Sequence, residues 1–346
     1  MKKLKIILCF AAGHGLNDLV AGYFLGSLLH LNLDLVQVSL GLLVYNLLAF
    51  GGQYPVAIWL EKYNNPKKFL LFAYTMNTIA IALFIVAPHI SVILAGVASA
   101  VYHVAGGTVC ARENKAAHIG LFAAPGVVGL IAGGYFAYTQ GNIIPILFAA
   151  SVIFLILLIL LPIENRSQQQ EEQVTGSKFT LDRHDLIMIL LLTVISLRSV
   201  IWNVFQLVHE GKYEWLIAIA VSAFIGKIAG GWIADKAGWR VYLFISLITA
   251  TPLITLFKDE IVLFCIGIGL LQSGIPATTA LLIRSVKGRT ERAIGLSFGT
   301  AILAGAVVLY SPLTDLLLSN VSLVLISLLM LVLLFFSREK NAFSTR

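Results

Sequence analysis

The chain has 346 residues, 59% of them apolar and only 12% charged, and its mean hydropathy of +0.92 excludes an ordinary soluble fold. The net charge of +7 comes from Lys and Arg scattered in small clusters between apolar runs. No basic face is large enough to follow phosphates, so nucleic acid is excluded as a partner.

The first sixteen residues imitate a signal peptide, with Lys2, Lys3 and Lys5 ahead of an apolar run. That run continues to about residue 31 with no soluble domain behind it, so it reads as an uncleaved first span. Apolar runs of spanning length then follow at 38–60, 69–87, 90–111, 119–138, 143–161, 186–208, 215–234, 241–257, 261–283, 293–313 and 316–336. At roughly 20 apolar residues per spanning helix, twelve helices take about 240 residues, leaving too few for a sizeable extramembrane domain. The one long polar connection, 164–185, follows span six and reads as a flexible linker. It divides the chain into an N-terminal six-helix bundle (1–163) and a C-terminal one (186–346). Cys9, Cys110 and Cys265 all lie inside apolar runs. They offer neither a disulfide framework nor a Cys-x-x-Cys site, and neither a metal nor a cofactor is expected.

With a cytoplasmic amino terminus, 20 of the 24 Lys and Arg fall on the cytoplasmic side. Lys212 and Lys258 lie in outer loops, while Arg198 and Lys227 lie within spans. This asymmetry places a multi-pass protein in the plasma (inner) membrane with both termini cytoplasmic.

A repeat recurs at the half-chain period. Gly231-Trp-Ile-Ala-Asp235-Lys236-Ala-Gly238-Trp-Arg240 follows span eight, and Ala57-Ile-Trp-Leu-Glu61-Lys62-Tyr-Asn64 follows span two. Small residue, acid, base and then Gly or Asn return at one spacing, as in duplicated six-helix units. The second copy resembles the loop signature of the major facilitator superfamily. The resemblance implies an all-α membrane fold of twelve transmembrane helices in two six-helix pseudo-repeats. Within that superfamily, His14-Gly-Leu-Asn17-Asp18 and Val101-Tyr102-His103 resemble the fosmidomycin-resistance branch of efflux proteins. Gly126-Val-Val-Gly129-Leu-Ile-Ala-Gly133-Gly134 in span five is similar to the antiporter glycine motif.

Polar groups inside spans mark candidate chemistry, because a charge in hydrocarbon costs at least ~2.5–3.5 kcal/mol unless it faces a cavity or a partner. His14, Asn17 and Asp18 share one face of span one at i, i+3 and i+4 spacing. They form either a proton-coupling patch or the hydrogen-bonded glue of a helix contact. His103 in span four is either a second proton group or a satisfied core histidine. Arg198 at the middle of span seven needs an anion, which is either Asp18 in a fixed pair or the substrate. Lys227 lies deep enough in span eight to bind substrate, or it snorkels to the surface. Asn17, Arg198 and Lys227 are the expected substrate contacts.

Glu61, Gly231, Asp235, Gly238 and Arg240 are expected to form a conformational latch in which the carboxylate meets a helix amino terminus or an Arg side chain. Topological anchoring is the simpler role for the bases. Gly126, Gly129, Gly133 and Gly134 provide a smooth helix-packing face, and Gly274 with Pro276 should bend span ten.

The sequence therefore points to a monomeric secondary transporter in the lipid bilayer, exporting a small organic anion or drug-like molecule by proton-coupled antiport. A proton-coupled importer uses the same residues. No His-Glu-x-x-His, no paired aspartates and no Gly-x-Ser-x-Gly elbow support an enzyme, and no duplicated pore loop supports a channel.

Overall fold

The computed structural model describes residues 2–31, 33–163, 182–208, 212–286, 289–307, 314–317 and 319–338. Among them there is no strand, and the helices follow one another as twelve spans. The first is Lys2–Ser27, closed by the turn Leu28–His30. Span two is Leu35–Tyr63, in which a π-helical stretch, Leu47–Gly51, interrupts the α-helix. Then come Pro66–Leu83, Pro88–Ala111, Ala116–Tyr138, Ile144–Leu160, Arg183–Val208, Tyr213–Ala237, Trp239–Leu256 and Ile261–Ser285. Span eleven is Thr290–Gly295, a second π-helical stretch Leu296–Thr300, and Ala301–Val307. Span twelve is Asn320–Phe336. Eight of these helices are long and apolar enough to cross a membrane by themselves.

Local chemistry sets the boundaries. Asp34 caps span two in a reciprocal capping box with Gln37. Asn64 ends that span at φ 46°, and Asn65 then caps span three, whose first residue is Pro66. Gly238, at φ 90°, lets span eight stop and span nine begin with one intervening residue.

Two boundaries change. Most of the expected linker, 164–181, lies outside the described residues, and its last three positions already belong to the helix that starts at Arg183. Span twelve begins at Asn320 instead of 316, because Ser319 caps it. Pro276 lies inside the helix Ile261–Ser285. A Cβ on Gly120 of span five would stand 3.1 Å from its ring, so Pro276 serves a helix contact.

Small residues decide which helices meet. Span one lies against span five, where a side chain on Gly129 would strike the Gly15 carbonyl and one on Gly133 the Leu19 carbonyl. Span eleven meets span seven in the equivalent way through Gly305 and Ser199. Span two meets span four at Gly96 and Leu48, and span eight meets span ten at Gly226 and Gly269. The packing therefore repeats with a six-helix period, one–five as seven–eleven and two–four as eight–ten. Gly134 offers its backbone to Gly22 and Gly26 of span one, while nothing lies within 4 Å of where its own Cβ would be. The outer faces carry exposed aliphatic side chains such as Ile153 and Leu325, as lipid contact demands.

Candidate functional site

Span one brings His14 to the centre of the fold, where it is 5% exposed. Its Nδ1 lies 2.7 Å from the Phe122 carbonyl, and its ring stacks on the Phe122 ring at 4.7 Å. Its Nε2 lies 2.8 Å from Nε2 of His103, which span four supplies. His103 Nδ1 lies 2.7 Å from the Ser99 carbonyl one turn back on its own helix. Asp18 completes the group, with Oδ2 3.2 Å from His14 Nε2 and Oδ1 3.7 Å from His103 Nε2. Asn17 donates from Nδ2 to Asp18 Oδ1 at 2.9 Å and to Ser99 Oγ at 3.2 Å. Both of its N–H directions are therefore used inside the cluster, and it positions Asp18.

A carbonyl oxygen cannot donate a hydrogen bond, so each histidine must carry a proton on Nδ1. Both Nε2 atoms then offer a lone pair at 2.8 Å, with a carboxylate beside them. Two lone pairs at 2.8 Å with carboxylate oxygens at 3.2 and 3.7 Å repel unless a cation lies among them. A single extra proton between the two Nε2 atoms removes the conflict and yields an imidazolium facing Asp18.

The same three side chains offer ligand atoms within 4.8 Å of one another and are the described group that could hold a metal ion. A 2.8 Å separation is that of a hydrogen bond, however. Two imidazoles on one zinc ion at ~2.0–2.1 Å stand more than ~3 Å apart in tetrahedral geometry. A proton fits the distance better. Asp18 is the most exposed of the three, its side chain being 16% exposed against 6% for His14 and 9% for His103.

The glycine face of span five makes this geometry possible. A Cβ on Gly126 would fall 2.5 Å from both Asp18 Oδ2 and His14 Nε2. Around the cluster, Tyr74 donates its hydroxyl to the Gly13 carbonyl at 2.5 Å, and Tyr102 donates to the Phe10 carbonyl at 2.7 Å. These two bonds fix the turn of span one that precedes His14.

Arg198 and Lys227 are buried as well, at 2% and 8% exposure. Of the two anions open to Arg198, Asp18 is not its partner, because Asp18 spends its oxygens on the two histidines and Asn17. Arg198 instead donates from Nη1 to Thr278 Oγ1 at 3.2 Å. Lys227 points its ammonium at the Ala123 carbonyl, 3.4 Å away, within electrostatic reach of Asp18 and His103.

On the face that carries the basic loops, two acids reach from one half of the chain to the other. Asp235, at the end of span eight, accepts from the backbone N–H of Ala116 at 3.0 Å and of Ala117 at 2.9 Å, and from Trp239 Nε1 at 2.7 Å. It therefore caps the amino terminus of span five, as the sequence led one to expect. Glu61, at the end of span two, accepts from Arg292 Nε at 2.5 Å and lies 3.6 Å from Arg289, both at the start of span eleven. The two contacts correspond under the repeat, since each acid meets the start of the fifth helix of the opposite half. Gly231 lets span eight close onto Ala116, where any side chain would collide with the Ala116 backbone. Arg240 donates to Ser337 Oγ and its carbonyl at 2.9 and 2.7 Å. On the opposite face, the Tyr138 and Tyr213 rings stack at 4.0 Å.

Sequence reasoning missed three contributors: the Phe122 carbonyl, Thr278 and the two π-helical stretches. The stretches face each other across the halves, with Gly299 against the Phe50 carbonyl and the Gln53 side chain. Glycines at 51, 52 and 299 were the available signal.

A profile described as Major Facilitator Superfamily matches residues 7–307. Among solved structures, a Major Facilitator Superfamily transporter, FucP, in the outward conformation is similar with a TM-score of 0.74 at 13% identity, covering 98% of each chain. A variant of the E. coli fucose:proton symporter FucP gives a TM-score of 0.68 at 14% identity, over 97% of this chain and 96% of that one. A bacterial homologue of the iron transporter ferroportin, in an outward-facing state, gives 0.58 at 12% identity over 96% and 97%. At such identities the likeness shows the fold alone. Comparison with curated proteins yields no match.

Proposed function

The chain belongs to the Major Facilitator Superfamily, whose members are multi-pass membrane transporters and not enzymes, and from that premise we propose a proton-coupled carrier of a small organic solute that works by alternating access. The observation that carries the reading is the convergence of His14 Nε2, His103 Nε2 and the Asp18 carboxylate, which calls for one shared proton. Residues 1–163 and 186–346 act as the two bundles that rock about this centre. The protein sits as a monomer in the plasma membrane with both termini cytoplasmic, so the Glu61 and Asp235 contacts latch the cytoplasmic side and the chain is closed there.

Export is the direction that the His14–Asp18 and Val101–His103 segments suggest through their likeness to efflux proteins. A second reading, symport, has its own support in the charges of the centre. Asp18 against the shared proton gives zero, which leaves Arg198 and Lys227 at plus two. A solute that offsets these charges binds best while the proton is held.

Proteoliposomes test both readings. Asp18→Asn and His103→Gln should abolish accumulation driven by a pH gradient while leaving solute-for-solute exchange measurable, because exchange needs no net proton movement. If accumulation survives in both variants, the proton site lies elsewhere. Alkalinisation of the side from which solute enters marks symport, and acidification marks antiport.

A further inference from the structure

Reading the triad as the proton site leaves Arg198 without a counter-charge. Among the described residues no carboxylate pairs with it, and its Nε is buried with no hydrogen-bond partner. The guanidinium is nevertheless held in place. Thr278 donates its hydroxyl proton to the Gly274 carbonyl at 2.7 Å, so its Oγ1 has only lone pairs to offer Arg198 Nη1, 3.2 Å away. Gly274 lies directly against the guanidinium. A Cβ there would come within 2.9 Å of Nη2 and 3.2 Å of Cζ. One edge of the fork is thus fixed by a hydroxyl, and the Nε–Nη2 edge is left bare.

A guanidinium cannot shed its proton at any ordinary pH, and a bare buried charge is costly. The edge formed by Nε and one Nη is the one that receives two oxygens side by side. We infer that the Nε–Nη2 edge of Arg198 is the binding site for an oxyanion group of the transported solute, a carboxylate or a phosphonate. Thr278 is its positioning residue, and the missing side chain of Gly274 leaves room for the guanidinium to lie as it does. Lys227 supplies a second, unforked charge from span eight, so the ligand is an organic anion with its charged end toward span seven. The inference rests on the carrier reading above and names its substrate class.

The test is equilibrium binding to the purified full-length chain, with benzoate, succinate and methylphosphonate as probes and benzamide, succinamide and dimethyl methylphosphonate as neutral isosteres. At least one anion should bind tenfold or more tightly than its isostere. Arg198→Lys should weaken that anion at least tenfold, because a forked donor becomes a point charge. Gly274→Ala and Thr278→Val, which keep the arginine, should each weaken it several-fold. These two variants also guard against a fold lost through Arg198. The inference is overturned if no anion exceeds its isostere, or if Arg198→Lys and Gly274→Ala both bind as the parent does. Should that happen while pH-gradient-driven uptake of some neutral solute still requires Asp18, the anion site falls and the carrier reading stands.

Discussion

Replacing Asp235 by Asn removes one charge and one acceptor from the start of span five. The native carboxylate receives the N–H groups of Ala116 and Ala117 on its two oxygens. An amide has a single oxygen and can keep only one of them. A hydrogen bond to a charged group contributes about 1.5–3 kcal/mol, and Asp235 is exposed, so the lower end applies, about 1.5 kcal/mol. The contact joins the two halves on the basic-loop face, and it is lost when that face opens. Its loss therefore shifts the closed-to-open ratio by about tenfold, since 1.4 kcal/mol is a factor of ten. Spin labels at the exposed positions Lys62 and Lys236, one in each half, would report the populations as distance distributions. The long-distance fraction should rise about tenfold in Asp235→Asn, with solute affinity changed little. A distribution unchanged within a factor of two, or a large affinity loss at constant populations, would refute the reasoning.

Glu61→Gln, which weakens the contact with Arg292 and Arg289, should produce a similar opening. The double variant with Asp235→Asn should show the sum of the two free-energy shifts within ~0.5 kcal/mol, because the two sites share no partner. Gly126→Ala should abolish pH-gradient-driven accumulation, because the nearest atoms that the added Cβ meets belong to Asp18 and His14. Gly129→Ala should destabilise the detergent-solubilised protein by about 1–3 kcal/mol through overpacking against Gly15. Gly134→Ala, with open space at its Cβ, should stay within ~0.5 kcal/mol. Glu113 accepts a hydrogen bond from Lys3 at 2.8 Å and lies 3.1 Å from Lys115. These ammonium groups hold its carboxyl down at about 2. A depressed carboxylate stabilises the fold above the ordinary carboxylate range and ceases to do so as pH falls through about 2. Fluorescence from a probe near Lys3 should therefore change between about pH 4 and 2 and be flat in Glu113→Gln.

Hydrophobic run length sufficed to place the spans, because each helix must bridge the same apolar thickness. Their ends moved by several residues where a cap decides the matter, as Ser319 does for span twelve. The contact of Asp235 with a helix start was legible too: an acid at the end of span eight has few partners on the membrane face other than a helix start or a base. What the sequence could not show is which buried faces meet. His14 and His103 each stood out as polar groups in apolar helices, but their contact joins residues 89 apart in the chain. Arg198 and Asp18 looked like natural partners by charge alone. The histidines lie nearer to Asp18, and hydrogen-bond geometry prevails over formal charge. The bare edge of Arg198 was invisible for the same reason, since it depends on a glycine and a threonine of another span.

The central claim is that His14 and His103 hold one proton between their Nε2 atoms beside Asp18. Nitrogen-15 spectra of histidine-labelled protein, with His14→Gln and His103→Gln used for assignment, test it most directly. At neutral pH both Nδ1 atoms should carry a proton, and the two Nε2 resonances should lie between the protonated and bare positions, as a shared proton requires. Two neutral rings, each with a proton on Nε2 and a bare Nδ1, would contradict the account.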